Sequence, residues 1–355
     1  PVGGGRGHRG LFYTLGFDAP VGEYFITPFD HNGNLNLNPA IALFEAYPNL
    51  LTNLNALPGS LQRWSDRSGG SQSGVEQLLL DFDPSPENAI WFSFSGRQAE
   101  YTRQSTTGAQ VESDVTGFEM GMDYPLFDTQ SGQMLVGAYF ALQEARADLL
   151  TTAAAGDINT DAQSLTLHAT YLSDSLFYAS GQVRFSRFDT DMFISGAPVS
   201  VISANADGLA ASFEIGRAFN VSQSLTVVPQ FQLAYSDISG DAIADPFGSA
   251  FAAQITDGET LTARVGVLAE RSFARGSVFG GLSLIHAFDN DTAINFAGLP
   301  FVTRPDEQRI EVRAGGQIEI GQNSVFYGGL TAQGGLSDFG DDYAYGVTGG
   351  IRVRF

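Results

Sequence analysis

Tyr345-Gly346-Val347-Thr348-Gly349-Gly350-Ile351-Arg352-Val353-Arg354-Phe355 ends the sequence, and its alternation decides the fold. In an extended strand Ile351, Val353 and Phe355 fall on one face, and Arg352 and Arg354 on the other. A strand that is apolar on one side and charged on the other needs two different surroundings. In a membrane barrel the apolar face meets lipid and the polar face meets a watery lumen. The stretch predicts the closing strand of a transmembrane barrel.

The same grammar runs backward through the chain. Leu165, Leu167, Ala169 and Tyr171 alternate with Ser164, Thr166, His168 and Thr170. Leu261, Ala263, Val265, Val267 and Ala269 alternate with Thr262, Arg264, Gly266, Leu268 and Glu270; Phe118, Met120, Met122 and Tyr124 alternate with Glu119, Gly121 and Asp123. Phe231, Leu233 and Tyr235 alternate with Gln230, Gln232 and Ala234. Segments of this kind fall at 88–103, 110–124, 132–148, 158–173, 175–190, 207–219, 224–239, 258–272, 275–288, 307–320, 323–336 and 343–355. Twelve strands, an even number, suit antiparallel closure. Leu172–Ser175, Asn220–Gln223 and Ala274–Gly276 read as short periplasmic turns. The longer stretches 151–157, 190–206, 240–257, 289–306 and 338–342, rich in Asp and Gly, read as extracellular loops.

Composition agrees. The 355 residues include 42 Gly, 12% aromatics and no Cys, and mean hydropathy is near zero. Alternating strands average out in this way while one face stays apolar. No run of about 18 apolar residues occurs, so a helical membrane span is excluded. With 39 acidic and 18 basic residues the net charge is −21, which excludes a nucleic-acid partner. Such acidity reads as solvated surface, with divalent-cation bridging to lipopolysaccharide as the alternative. The sequence starts at Pro1 with no basic or apolar leader, so a secretory signal is expected upstream in a longer precursor.

The opening third differs. Leu11–Phe17 and Glu23–Phe29 read as two short strands, a hairpin or a solenoid rung. Asn38 and Pro39 form a helix start, with Asn as N-cap and Pro at the first helical position. Ile41, Phe44, Leu50, Leu51, Leu54, Leu57 and Leu61 then follow helical spacing, interrupted by Pro48 and Pro58. A proline inside a helix costs about 3 kcal/mol, so two or three short helices or a kinked one are expected between Ala40 and Trp64. Val75–Phe82 reads as a linker element, stopped by Asp83-Pro84-Ser85-Pro86.

A helical segment directly before a twelve-stranded pattern resembles the C-terminal translocator of autotransporters, the type V secretion proteins. The matching pieces are Ser60–Arg67, Gly117–Leu126, Phe213–Phe219, Leu225–Tyr235 and Leu261–Gly266, and the likeness runs from about Asn38 to Phe355. The resemblance implies an all-β, twelve-stranded antiparallel barrel in a bacterial outer membrane, with an N-terminal helical segment in the lumen. It divides the chain into 1–36, the end of a passenger or its linker; 37–70, the lumenal helical linker; 71–87, a connecting loop; and 88–355, the barrel. The implied function is passage of an N-terminal passenger to the cell surface and its anchoring there. The implied partners are outer-membrane lipids and lipopolysaccharide, the barrel-assembly machinery and the chain's own passenger, around a monomeric barrel. Two other readings remain: a diffusion porin in which residues 1–86 form a plug, and a surface anchor or adhesin base.

Candidate sites follow from the same residues. Thr348, Gly350, Val353 and Phe355 fit polar-x-Gly-x-x-apolar-x-aromatic spacing, which resembles the signal read by the barrel-assembly machinery; an ordinary last strand is the bland alternative. Glu119, Asp123, Glu214, Arg264, Glu270, Arg313, Arg352 and Arg354 are expected to face the lumen, as mutual bracing, as a hold on the helix or as a pore lining. Some family members cut themselves at an Asn in the lumenal helix. Asn53 and Asn55 stand where that residue would lie, but Thr52 precedes Asn53 where the self-cleaving members carry paired Asn, so helix packing is the favoured role. The four histidines, His8, His31, His168 and His286, have no adjacent Ser and acid partner, so no catalytic site is expected. Asp338–Asp342 carries oxygen donors of the kind calcium takes but reads as solvated loop. Neither metal nor cofactor is expected.

Overall fold

The computed structural model describes residues 14–18, 23–27, 40–59, 89–101, 104–129, 131–151, 155–195, 201–244, 252–321, 323–337 and 342–355. Twelve long strands make the wall: β1 (Ala89–Tyr101), β2 (Gln110–Thr129), β3 (Gly132–Leu150), β4 (Ala155–Ser173), β5 (Phe177–Ile194) and β6 (Ile202–Arg217). They continue as β7 (Leu225–Gly240), β8 (Thr260–Phe273), β9 (Gly276–Asp289), β10 (Gln308–Glu319), β11 (Ser324–Gly335) and β12 (Asp342–Arg354). Each pairs antiparallel with the next. β12 returns to β1, from Asp342 opposite Tyr101 to Arg354 opposite Ala89. The ring leaves no open edge, so every wall strand is hydrogen-bonded on both sides.

The alternation read from the sequence is what the wall shows. Met120, Met122, Leu165, Leu167, Val265, Val267, Leu330, Val347 and Ile351 are exposed on the outside, while Ser164, Thr166, Thr170, Gln232 and Glu270 are buried inside. A continuous apolar belt of this kind is stable only against hydrocarbon.

Among the described residues one helix, α1 (Ala40–Asn55), lies in the lumen with Pro48 inside it. The sequence allowed two or three short helices or one kinked helix; residues 40–55 form one helix, continuous through Pro48. Ile41, Leu43, Phe44, Tyr47, Leu50, Leu51 and Leu54 are all buried, at about 1.5–3 kcal/mol for each large apolar side chain. That outweighs the cost of one proline. The helix ends three residues before Pro58, and Leu57, which precedes that proline, is disfavoured in helical geometry.

Three expected loops also differ. β5 runs on to Ile194 and β6 begins at Ile202, so the connection expected over 190–206 is short. Met192, Ile194, Ile202 and Ala204 are buried with the helix in one apolar cluster. At this end the inward face meets α1 rather than water, and the polar-inward pattern gives way. The described parts of 240–257 and the stretch 289–306 fold as well. Ile243–Ala244, Ala252–Asp257, Thr292–Phe296, Leu299–Arg304 and Gln104–Ser105 pair into a separate five-stranded sheet. Its Ile243, Ala253, Ile294, Phe296 and Phe301 join the same cluster and cap the lumen at the long-loop end.

Near the N-terminus, Thr14–Asp18 and Glu23–Thr27 form an antiparallel hairpin. Asn38, Pro39, Ser60–Arg67, Val75–Phe82 and 338–341 lie outside the described residues.

Candidate functional site

The site is the lumen with its occupant. α1 leans on β3 to β7 and on the cap sheet. Small inward residues make room for it: Ala145, Ala147, Ala162, Ala204 and Ala206 belong to its packing cluster. Gly208 shows how close the fit is. A Cβ there would lie 2.9 Å from the Asn55 side chain and 2.9 Å from Phe188.

The helix is held at both ends. Near its start Glu45 is buried, and its carboxylate accepts hydrogen bonds from the Thr106 and Thr107 main-chain N–H groups at 2.6 and 2.9 Å and from the Thr107 hydroxyl. These residues follow directly on Gln104–Ser105, an edge strand of the cap. At the other end Asn55 is fully buried. Its Nδ2 donates to Ser236 Oγ on β7 at 2.8 Å, and its Oδ1 accepts from Ser186 Oγ on β5 at 2.7 Å. Asn53, one of the two Asn singled out for self-cleavage, donates instead to Asn49 within the helix, to O and Oδ1 at 2.8 Å each.

Below Asn55 the wall meets the main chain. Arg184 Nη1 donates to the carbonyls of Leu54 and Ala56 at 3.4 and 3.3 Å. Gln182 and Gln232 each donate to the Pro58 carbonyl at 3.3 Å. The guanidinium is fixed from the wall side: Nε donates to Thr166 Oγ1 at 3.1 Å, Nη2 donates to Tyr139 OH at 3.0 Å, and Glu119 lies 3.9 Å away. A cation at a helix C-terminus is also favoured by the carbonyl dipoles there.

The remaining inward charges are placed as follows. Asp123 Oδ1 lies 3.1 Å from His168 Nε2, both buried. Glu214 accepts from Tyr178 OH at 2.8 Å, and Glu270 from Ser277 Oγ at 2.6 Å. Arg264 pairs with Glu311. Arg313 lies over the Phe279 ring, 5.5 Å from its centre. Arg352 and Arg354 are half-buried on β12. His286 packs edge-on against Phe288, away from His168. Among the described residues no group of His, Cys, Asp and Glu could hold a metal ion.

A cavity of about 340 Å3 borders the helix; Asn49, Thr52 and Asn53 line it together with Arg97, Arg309 and Gln333 of the wall, and it reaches Arg184 and Gln232. In the C-terminal pattern, Phe355 and Val353 are exposed outward. Gly350 sits under an aromatic ring: a Cβ there would come 2.3 Å from Tyr327 OH, which itself donates to Phe92 O.

The sequence reading missed Glu45, Gln182, Arg184, Ser186 and Ser236. Gln182, Arg184 and Ser186 fall at period two within 175–190, a stretch read only as strand. Glu45 had a signal too, as the one charge in the apolar run Ala40–Tyr47.

Comparisons agree with this architecture. A family model described as the autotransporter beta-domain matches residues 90–331. The Adhesin BmaC autotransporter of Brucella suis is 26% identical over 335 residues, covering 89% of this chain and 10% of the relative. The Pertactin autotransporter of Bordetella bronchiseptica is 24% identical over 301 residues, covering 81% of this chain and 31% of the relative. The chain thus spans at most about a third of the length of these relatives. Among solved structures, the transport unit of the autotransporter AIDA-I from Escherichia coli superposes with a TM-score of 0.72 at 15% identity, covering 90% of this chain and 99% of that one. The translocator domain of NalP from Neisseria meningitidis gives 0.63 at 13%, covering 78% and 91%. With a closed twelve-stranded wall, a helix in its lumen and a family match over most of its length, this chain belongs to the autotransporter beta-domain family, the outer-membrane translocators of type V secretion.

Proposed function

We propose that the chain passes a passenger, joined ahead of Pro1, to the cell surface and then anchors it, with α1 left as the plug of the lumen. The observation that carries this reading is the helix itself, gripped by Glu45 at the capped end and by Asn55 deeper in. The final state is a plugged barrel whose helix starts at the long-loop end. No step of translocation needs a nucleophile or a base, and the chain acts as a transporter and anchor rather than an enzyme.

In this reading residues 1–36 are the end of the passenger or its linker, 37–70 the lumenal linker, 71–87 a connecting loop and 88–355 the barrel. Thr348, Gly350, Val353 and Phe355 serve the barrel-assembly machinery, the apolar belt meets outer-membrane lipids and lipopolysaccharide, and the barrel works as a monomer. Glu119, Asp123, Glu214, Arg264, Glu270, Arg313, Arg352 and Arg354 brace the lumen. The name of the Brucella relative favours an adhesive passenger. The hydrogen bonds at both ends of the Asn55 amide, and those of Asn53 to Asn49, support packing roles over self-cleavage.

Planar-bilayer conductance tests the plug. The full chain is expected to pass small currents and a version lacking residues 1–86 large ones. Large currents in both would favour the diffusion porin and sink the plug.

A further inference from the structure

The hydrogen bonds that hold α1 and the residues just after it are of two chemical kinds. Those of Glu45 and Asn55 use side chains of the occupant, so they belong to this sequence. Those of Arg184, Gln182 and Gln232 use only its carbonyl oxygens, at Leu54, Ala56 and Pro58. Every polypeptide carries such oxygens, whatever its side chains.

We propose that Arg184, Gln182 and Gln232 form a sequence-independent binding station for polypeptide main chain, used by the passenger in transit before the linker comes to rest there. The inference rests on the translocator reading and says what the lumen recognises in its substrate: peptide carbonyls not already paired within the passing chain.

Three features support it. The station is built by the wall and not by the guest, since Thr166, Tyr139 and Glu119 fix the guanidinium from behind. Gln182 on β5 and Gln232 on β7, both buried, converge on one oxygen from strands on either side of β6. The carbonyls they meet belong to Leu54, Ala56 and Pro58, whose side chains offer no hydrogen-bonding group. The physical need is plain. A chain entering a narrow lumen loses water from its carbonyls, and an unpaired buried carbonyl is costly. Donors already aimed at mid-lumen lower that cost for each residue as it passes, and because the bonds are neutral or long they release it again.

The test is transit rate in a Gram-negative host, followed by pulse labelling and surface protease access. Two unfolded reporter segments, one rich in Gly and Ser and one of mixed composition, are joined in turn ahead of Pro1 of the full chain. The Gln182→Leu, Gln232→Leu double variant is expected to slow both reporters alike, by about threefold or more, while the folded barrel forms to the same level on unheated gels. If that variant fails to assemble, Gln182→Glu with Gln232→Glu keeps a polar lumen but replaces donors by acceptors, and should slow both at least as much. Unchanged transit, or slowing of one reporter alone, would overturn the proposal. If the wild-type chain exposes neither reporter, the translocator reading itself falls.

Discussion

Asn55 shows how much one amide can decide. It spans from β5 to β7 through Ser186 and Ser236, and Gly208 leaves the space its side chain fills. Asn55→Ala would strip two partners of a buried group and leave two hydroxyls to find others, a loss of about 1–3 kcal/mol in seating the helix. In single-channel recordings the expected outcome is frequent opening events that the wild type lacks; a quiet channel would refute the clamp. Asn55 was visible in the sequence as a candidate, but for a different chemistry. Its partners were not visible, because Ser186 and Ser236 lie 131 and 181 residues away along the chain.

At the scale of elements, the cap sheet was the least legible part. Its strands are short and its connections rich in Asp and Gly, which reads as loop. What orders them is an apolar floor made by α1 and the upper wall, a surface no local pattern contains. Its acidic rim has a pH consequence. Desolvation raises the Asp257 carboxyl above its ordinary value; the Glu259 N–H opposes this, and the charges of Asp289 and Asp291 add to the rise. A carboxyl raised on folding binds its proton more tightly in the folded cap, so the cap firms as pH falls through the raised value and loosens as pH rises through it. Asp257→Asn should therefore slow amide exchange over 292–304 at neutral pH, and the difference from wild type should vanish below about pH 4.

At the scale of the whole molecule, the wall was legible almost strand for strand. Period-two alternation with lipid outside is imposed on each strand separately, so each segment carries its own evidence. The seam between β12 and β1 is another matter, since it joins the first and last strands of the wall and nothing local announces it. Phe355 lies just past that seam, exposed outward. Its deletion should leave the unfolding midpoint of assembled barrel almost unchanged, as is usual for an exposed site. The amount assembled in the membrane should fall severalfold. A matched fall in both would mean that Phe355 is only a strut.

The lengthwise seat of α1 has a mechanical meaning. Glu45 binds near the capped end, and Asn55 and the carbonyls of Leu54, Ala56 and Pro58 bind progressively deeper. A tug on whatever precedes Ala40 runs along that line of attachments, so they are strained together in shear and not peeled one by one. The barrel is thereby a tether whose hold under load exceeds what any single bond in it would suggest.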